Sequence, residues 1–310
     1  MTASRSLGNM TDKANDGENQ EWHIGGYDHK MSQEDQLEQL YSHIEAHFPL
    51  PDFTPPWKGG AGDPVPADNY SAKLTDRITQ SAMMVLGTAV DHAMPGVAFT
   101  DGIDVSTPRP GLTQFTPANS ESASTWIITF HSGGWWRGSG AALEMQWQPE
   151  VAAAANLAGV TALDVDYPLA PAHAVIDMVA AGQEAINFAH SQGAQRIIVW
   201  GYSSGGALGT LLADAADALI LTYPDFAALD GLPEDVRGEA VIPAGDTWPK
   251  TRLQIALQDE VVDNSVTRNI ADGAGDVVVA EYVSRHRIST PEVARQRVRD
   301  IADFIKGLDA

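Results

Sequence analysis

The chain has 310 residues, of which 44% are hydrophobic, and its formal net charge is −22. This length and apolar fraction are typical of one α/β domain with an appended segment. The negative charge argues against binding nucleic acid or an acidic membrane surface, because both are polyanions. Cysteine is absent, which excludes disulfides, a thiolate nucleophile and a cysteine-ligated metal site.

The amino-terminal part of the sequence predicts a protein of the cytoplasm. No apolar run reaches the roughly 20 residues that a membrane-spanning helix needs. The first thirty residues also lack the apolar segment of a secretory signal. Residues 1–30 are polar and without periodicity, which predicts a disordered arm. His23 and His29 lie in this arm, and we interpret them as solvated side chains rather than metal ligands.

Residues 31–94 predict a helical segment ahead of the main domain. Ser32 opens a capping box before a first amphipathic helix, which Pro49 and Pro51 end. A Pro/Gly-rich loop follows, and a second helix is predicted over 71–90. This segment is either a cap over an active site or a pair of packing helices, and the pattern favours the cap slightly.

Residues 95–310 predict a single α/β domain. Strands 97–105 and 112–116 are expected to form an antiparallel hairpin. Strands and helices then alternate, which predicts a mostly parallel sheet with helices on both faces. The further predicted strands are 126–130, 160–165, 197–200, 218–221, 253–257 and 277–283, and the predicted helices are 141–157, 174–190 and 291–305.

The stretch Gly201-Tyr202-Ser203-Ser204-Gly205 lies between a predicted buried strand and a predicted helix. In that setting the pattern G-x-S-x-G is typical of a nucleophile elbow. The turn is so tight that a side chain at Gly201 or Gly205 would collide with neighbouring backbone. Ser203 is expected to be strained, with its hydroxyl exposed above the sheet. The pentapeptide alone is a weak signal, but its flanking elements make Ser203 the candidate nucleophile.

A serine nucleophile needs a base that takes its proton and an acid that orients the base. His286 is the one histidine in the sequence after Ser203 and comes just past a predicted strand. It is therefore the predicted base. Asp259 follows the carboxyl end of another predicted strand, where α/β sheets place functional groups, and is the predicted acid. Glu260 and Asp263 stay open as alternatives.

The sequence HSGGWW at 131–136 directly follows a predicted strand. Glycines at this point let the main chain approach a reacting carbonyl oxygen. The N–H groups of Gly133, Gly134 and Ser204 are therefore the predicted oxyanion hole. His131 is expected to hold the loop through hydrogen bonds rather than to react. The candidate substrate-binding side chains are Trp135, Trp136 and Tyr202, although core packing explains one of the two tryptophans equally well.

Taken in order, HSGGWW, DYPLAP, GYSSGG, LQDEVVDN and His286 resemble the hormone-sensitive-lipase-like branch of α/β-hydrolase esterases, over about residues 95–308. That branch typically shows HGGG, DYRLAPE, GDSAGG and DPLRDE. The resemblance implies a helical cap and hydrolysis of short- to medium-chain acyl esters through an acyl-enzyme, with no cofactor and no metal. The departures from the family pattern, which leave the triad intact, are Ser132, Pro168, Ala172, Tyr202 and Ser204.

Other functions stay open from the sequence. HSGGWW also resembles a loop of arylformamidases, so an amidase with the same triad is an alternative. A non-catalytic ligand receptor on this fold is less favoured, because known examples lose the histidine that His286 supplies here. A peptidase is weaker still, since the amino-terminal segment is too small for a gating domain. The sequence leaves open the oligomeric state, with a homodimer among the options, and the role of residues 225–250.

Overall fold

The structure, a computed structural model, describes residues 31–88, 102–118, 120 and 122–308, and its strands form one eight-stranded sheet. In chain order the strands are β1 (Ile103–Arg109), β2 (Leu112–Pro117), β3 (Ser122–Phe130), β4 (Val160–Val165), β5 (Arg196–Tyr202), β6 (Ala218–Thr222), β7 (Lys250–Ala256) and β8 (Val277–Tyr282). They are ordered β1-β2-β4-β3-β5-β6-β7-β8. The pairs β1–β2 and β2–β4 are antiparallel and every later pair is parallel. The predicted α/β class and mostly parallel sheet are confirmed.

Alternating apolar side chains explain why helices cover both faces of this sheet. In β5, Ile197 and Val199 belong to one hydrophobic cluster, whereas Ile198 and Trp200 belong to the other. A strand buried on both faces is typical of a parallel sheet between two helical layers. The helices are α1 (Gln33–His47), α2 (Val65–Val85), α3 (Gln148–Ala158), α4 (Val175–Ser191), α5 (Ser204–Thr210), α6 (Ala227–Asp230), α7 (Glu234–Arg237), α8 (Asn264–Asp272) and α9 (Pro291–Lys306).

Several boundaries differ from the predicted ones. Helix α2 begins at Val65 rather than at residue 71, because Pro66 occupies the first turn, where a missing N–H costs nothing. The predicted helix 141–157 contains a π-helical turn, Leu143–Trp147, before it continues as α3. The hairpin strand β1 extends to Arg109, and residues 97–101 of the predicted strand lie outside the described residues.

The amino-terminal helices α1 and α2 pack against each other through a separate hydrophobic cluster. The Ser32 hydroxyl caps α1 by accepting the N–H of Asp35 at 3.0 Å. Leu40 and Leu74 are buried in the cluster, and Ile288, from the loop after β8, joins them there. This contact ties the amino-terminal helices to the carboxyl edge of the sheet. The predicted arm at 1–30, with its two histidines, lies outside the described residues.

Residues 225–250, which the sequence left uninterpreted, form two short helices and a turn beside the sheet. Phe226, Leu229, Val236 and Trp248 bury their side chains in the cluster on one face. The segment therefore completes the core on this face of the sheet, and its residues Asp225 and Ala228 also line a cavity. No helix in the part of the chain that the structure describes is long and apolar enough to cross a bilayer.

Candidate active site

The turn between β5 and α5 holds Ser203 in a conformation that side chains rarely adopt. Its backbone has φ 56° and ψ −119°. A Cβ at Gly201 would lie 2.0 Å from the carbonyl oxygen of Gly205, and a Cβ at Gly205 would lie 2.3 Å from that of Phe130. Both glycines are therefore required by the tightness of the turn. Strain of this kind is found where a side chain must be presented for chemistry.

The structure brings Ser203, His286 and Asp259 together. The Ser203 Oγ lies 3.0 Å from the Nε2 of His286. The Nδ1 of His286 lies 2.9 Å from the Oδ2 of Asp259. When Nδ1 carries the proton and donates it to the carboxylate, Nε2 is free to accept the serine hydroxyl. The side chains of His286 and Asp259 are 7% and 0% exposed, so these contacts are shielded from water.

The Asp259 carboxylate is held in its charged form. Burial raises its pKa, but the hydrogen bond and charge of His286 outweigh burial and lower the pKa below its usual value. The N–H groups of Val261 and Val262 also donate to Oδ1, at 2.8 and 2.7 Å, and lower it further. A carboxylate that stays ionised can orient an imidazole and stabilise its protonated form.

The two alternative acids lie elsewhere. Glu260 accepts the backbone N–H of His286 at 2.7 Å and the Nη1–H of Arg287 at 3.0 Å. It therefore holds the histidine loop rather than the imidazole. Asp263 caps α8 by accepting the N–H of Ser265 at 2.9 Å. Neither carboxylate contacts the imidazole of His286.

Aromatic side chains behind the imidazole fix its position. The Tyr202 hydroxyl donates to the carbonyl oxygen of His286, and the rings of Tyr202 and Tyr223 lie 5.5 and 6.2 Å from the imidazole. Behind both tyrosines the buried Arg297 donates to Glu150 at 2.6 Å. Sequence reasoning flagged only Tyr202 of this group. The ion pair joins residues 147 positions apart, and no local pattern indicates it.

The loop after β3 approaches the nucleophile with its backbone. A Cβ at Gly133, where φ is +146°, would lie 1.7 Å from the carbonyl oxygen of Arg137. Among the described residues, no hydrogen-bond acceptor contacts the N–H of Gly133 or of Ser204. The N–H of Gly134 donates to the Ser204 hydroxyl at 2.9 Å. Two of the three predicted oxyanion donors are therefore unoccupied, and the third already has a partner.

His131 fastens this loop to the core. Its ring is buried and stacks on Tyr167 at 4.3 Å, while its Nδ1 lies 2.7 Å from the carbonyl oxygen of Ser132. The Tyr167 hydroxyl donates to the carbonyl oxygen of His131 at 2.9 Å. Burial lowers the pKa of His131 and favours the neutral ring, which donates through Nδ1. These contacts agree with a structural role for His131.

The two tryptophans of the loop diverge. Trp136 lines the cavity above Ser203. Trp135 is 1% exposed and lies in the core cluster with Phe130 and Tyr167. Trp135 therefore packs in the core, which is the alternative that the sequence left open for one of the two tryptophans. Its backbone has φ +74°, a turn that the sequence pattern did not indicate, and the core offers its indole complete burial.

A cavity of about 190 Å³ opens above Ser203 and His286. One wall comes from the sheet edge and its loops, and the other comes from the amino-terminal segment and α2. The residues that this amino-terminal wall contributes are Phe53, Pro55, Trp57, Lys58, Ser71 and Leu74. Over the ranges that the structure describes, no group of three or more His, Asp or Glu side chains is arranged to hold a metal ion.

A family model described as the alpha/beta hydrolase fold matches residues 127–279. A comparison with curated protein sequences found no match. A thermostable esterase from Pseudomonas putida is similar in structure, with a TM-score of 0.59 and 17% identity over 87% of this chain and 96% of the other. A hyperthermophilic esterase from Pyrobaculum calidifontis is also similar in structure, with a TM-score of 0.55 and 18% identity over 80% of this chain and 94% of the other.

A third structure, an esterase of the bacterial hormone-sensitive lipase family, gives a TM-score of 0.57 and 16% identity over 89% of this chain and 99% of the other. At these identities the likeness concerns the fold. Together with the family model, these structures support the α/β-hydrolase fold that the sequence motifs indicate.

Proposed function

We propose that this chain, whose sequence matches the alpha/beta hydrolase fold over residues 127–279, is a serine carboxylesterase that cleaves short- to medium-chain acyl esters through an acyl-enzyme. The observation that carries this proposal is the pair of contacts at His286. One ring nitrogen lies 3.0 Å from the Ser203 hydroxyl and the other lies 2.9 Å from Asp259. A base within hydrogen-bond reach of a nucleophile, and itself oriented by an acid, is the arrangement that activates serine.

In the first half-reaction the Ser203 Oγ attacks the ester carbonyl carbon while its proton passes to Nε2 of His286. Asp259 stabilises the imidazolium that forms. The negative charge on the carbonyl oxygen is bound by the N–H groups of Gly133 and Ser204, which have no other acceptor among the described residues, and by the N–H of Gly134, which exchanges the Ser204 hydroxyl for the oxyanion. The imidazolium then gives its proton to the alkoxide as the C–O bond breaks, and the alcohol leaves.

In the second half-reaction His286 takes a proton from water, whose oxygen attacks the acyl-enzyme carbonyl. The same N–H groups bind the second oxyanion. The proton returns to the Ser203 Oγ as the acid is released, so the enzyme regains its starting state. The cavity of about 190 Å³ is smaller than the roughly 300–1,000 Å³ of pockets that hold drug-sized ligands, which favours short acyl chains.

The proposal is tested by measuring turnover of p-nitrophenyl esters from acetate to decanoate. We expect Ser203→Ala to lower kcat by about 10⁴-fold or more, because it removes the nucleophile. Ser191→Ala, at an exposed serine at the end of α4, is the matched control and should behave as wild type. Equal turnover by wild type and Ser203→Ala would contradict the proposal.

The same triad would serve an amidase, which the HSGGWW loop keeps as the second candidate. Matched esters and anilides of one acyl group separate the two, since an esterase turns over the ester far faster. A fluorophosphonate probe tests the receptor alternative directly. We expect it to label wild type at Ser203 and to leave Ser203→Ala unlabelled, whereas an unreactive wild type would favour a ligand-binding role.

A further inference from the structure

The cavity has the opposite charge balance to the rest of the chain. Of 19 basic and 41 acidic residues, three basic residues and one acidic residue line it. The basic ones are Lys58, Arg137 and Arg287, and the acidic one is Asp225. Asp68 and Glu260, which do not line the cavity, pair with Arg137 and Arg287 and offset part of this charge, so the cavity wall is cationic relative to the rest of the chain.

Arg137 lacks the partners that a buried guanidinium needs. Its side chain is 12% exposed, and the nearest carboxylate oxygen, on Asp68, lies 3.8 Å away, too far for a hydrogen bond. That same oxygen accepts the N–H of Gly138 at 3.0 Å. Among the described residues, Asp68 is the one carboxylate paired with the Arg137 guanidinium, and this contact opposes the rise that burial causes in the Asp68 pKa. One distant carboxylate leaves most of the five N–H donors of Arg137 available, so the group is suited to an acceptor that arrives with a ligand.

Arg287 adds a second positive charge beside the first. The guanidinium carbons of Arg137 and Arg287 lie 4.4 and 4.5 Å from the centroid of the same ring, that of Phe53. Arg287 makes one hydrogen bond, to Glu260 at 3.0 Å, while the other oxygen of Glu260 accepts the N–H of His286. Burial and the charge of Arg287 lower the pKa of Arg137 to about 10. An anion that contacts either guanidinium would relieve this repulsion.

We propose that Arg137 and Arg287 form a subsite for a carboxylate of the substrate, so that the preferred esters carry a free carboxylate group. The inference rests on the proposed esterase function. A planar guanidinium matches a carboxylate in a two-bond geometry, which favours this ligand over a diffuse charge. Asp225, whose backbone N–H donates to the Ser203 carbonyl oxygen, repels a carboxylate from the nucleophile end of the cavity. The carboxylate of the substrate is therefore expected to bind on the side of the cavity that Arg137 and Arg287 line.

The experiment compares each acid with its neutral carboxamide. The mono-p-nitrophenyl ester of adipic acid against p-nitrophenyl adipamate places the carboxylate on the acyl side. The pair 4-acetoxybenzoate and 4-acetoxybenzamide places it on the alcohol side. For at least one pair we expect wild type to prefer the acid by about tenfold or more in kcat/KM, the size expected of a charge-assisted hydrogen bond. Which pair shows the preference identifies the side of the ester that the subsite binds.

Variants are judged by the ratio of the two rates, because damage to the loop lowers both rates and cancels in the ratio. Arg137→Gln should reduce the preference about tenfold, and Arg137→Lys, which keeps the charge, should retain part of it. Arg287→Gln should reduce the preference for the acid as well, and this residue lies outside the glycine-containing loop after β3. Arg268→Gln, on α8 and paired with Glu281, is the control that should keep the wild-type ratio. Added salt should shrink the preference in wild type.

The outcomes separate this inference from the function on which it rests. If wild type cleaves acid and amide equally in both pairs, or if Arg137→Gln and Arg287→Gln both keep the preference, the subsite is wrong while the esterase stands. If no ester is cleaved, the proposed function is wrong, and the subsite is then tested by measuring ligand binding instead of turnover. Calorimetry on Ser203→Ala should then show tighter binding of 4-acetoxybenzoate than of its amide, and equal affinity would overturn the subsite.

Discussion

The carboxyl edge of β7 and the inner part of β4 each bury one aspartate, and the two sites surround it differently. Asp259, beyond β7, is bound by an imidazole and two backbone N–H groups, and its pKa is lowered. Asp164, within β4, accepts only from neutral side chains, and burial raises its pKa to about 6. The neutral donors are Thr129 at 2.7 Å, Trp147 at 2.9 Å and Gln148 at 3.1 Å.

The difference shows what each site requires of its carboxyl group. Three neutral hydrogen bonds lower the pKa of Asp164 less than complete burial raises it. At Asp259 a partner that can carry positive charge reverses the balance. The proposed mechanism needs a permanent negative charge only beside His286. Asp164 instead acts as an acceptor that fastens the π-helical turn, through Trp147, to the sheet.

The largest expected effect is that of Asp259→Asn. We expect kcat on a p-nitrophenyl ester to fall by about 10⁴-fold, because the amide favours the wrong tautomer of His286 and cannot stabilise the imidazolium. Asp263→Asn, at the cap of α8, is the matched control and should keep wild-type turnover. A large loss in Asp263→Asn with full activity in Asp259→Asn would reassign the acid and remove the functional difference between Asp259 and Asp164.

Asp164→Asn should change stability rather than turnover. Between the ordinary aspartate pKa and about 6, the folded state holds a proton on Asp164 that the unfolded state has lost. The wild-type stability contribution of Asp164 is therefore present below this window and is lost as the pH rises through it. Relative to Asp164→Asn, wild type should lose about 3 kcal/mol of unfolding free energy across the window, an order-of-magnitude figure.

Urea unfolding of both proteins between pH 4 and 7 measures this difference, with Asp76→Asn as an exposed control on α2. Asp259 should show the opposite slope, but only below the ordinary aspartate pKa, so wild type and Asp259→Asn are compared from pH 2 to 4. Its lowered pKa makes its stability contribution complete above the unfolded value and lost as the pH falls through the folded value. Parallel slopes for the Asp164 and Asp259 variants would contradict the comparison.

The sequence was sufficient wherever one local rule decided the outcome. Repeated strand and helix patterns predicted the parallel sheet, because a strand buried on both faces needs two helical layers. The G-x-S-x-G turn predicted the strained Ser203, since the clashes at its glycines are local. Asp259 and His286 were located by the rule that functional groups follow the carboxyl ends of strands. The structure brings these three side chains into contact.

The rest depended on contacts between distant segments. The side chain of Trp135 packs into the core from a backbone with positive φ, a conformation that no pattern in the sequence predicted. Arg137 and Arg287 meet at Phe53, which comes from a segment more than eighty residues earlier in the chain than Arg137. The net charge of −22 did not indicate this pair of arginines, because a total charge does not specify where the 19 basic residues lie in the fold. Likewise, Ser204 was predicted to act through its backbone N–H, and no pattern indicated a role for its hydroxyl.

The smallest expected effect concerns that hydroxyl, and it extends the comparison from carboxylates to the oxyanion loop. The Gly134 N–H donates to the Ser204 Oγ, a neutral acceptor, in the free enzyme. Charge-assisted hydrogen bonds are about twice as strong as neutral ones, so a developing oxyanion competes successfully for this donor.

Ser204→Ala removes a competitor worth about 1 kcal/mol. We therefore expect kcat on p-nitrophenyl acetate to rise by up to about fivefold, while the unfolding free energy falls by about 1 kcal/mol because the buried N–H loses its partner. Ser81→Ala, at a buried serine of α2 outside the cavity lining, is the control and should leave kcat unchanged. A tenfold loss of kcat in Ser204→Ala would instead mean that the hydroxyl positions the loop for catalysis.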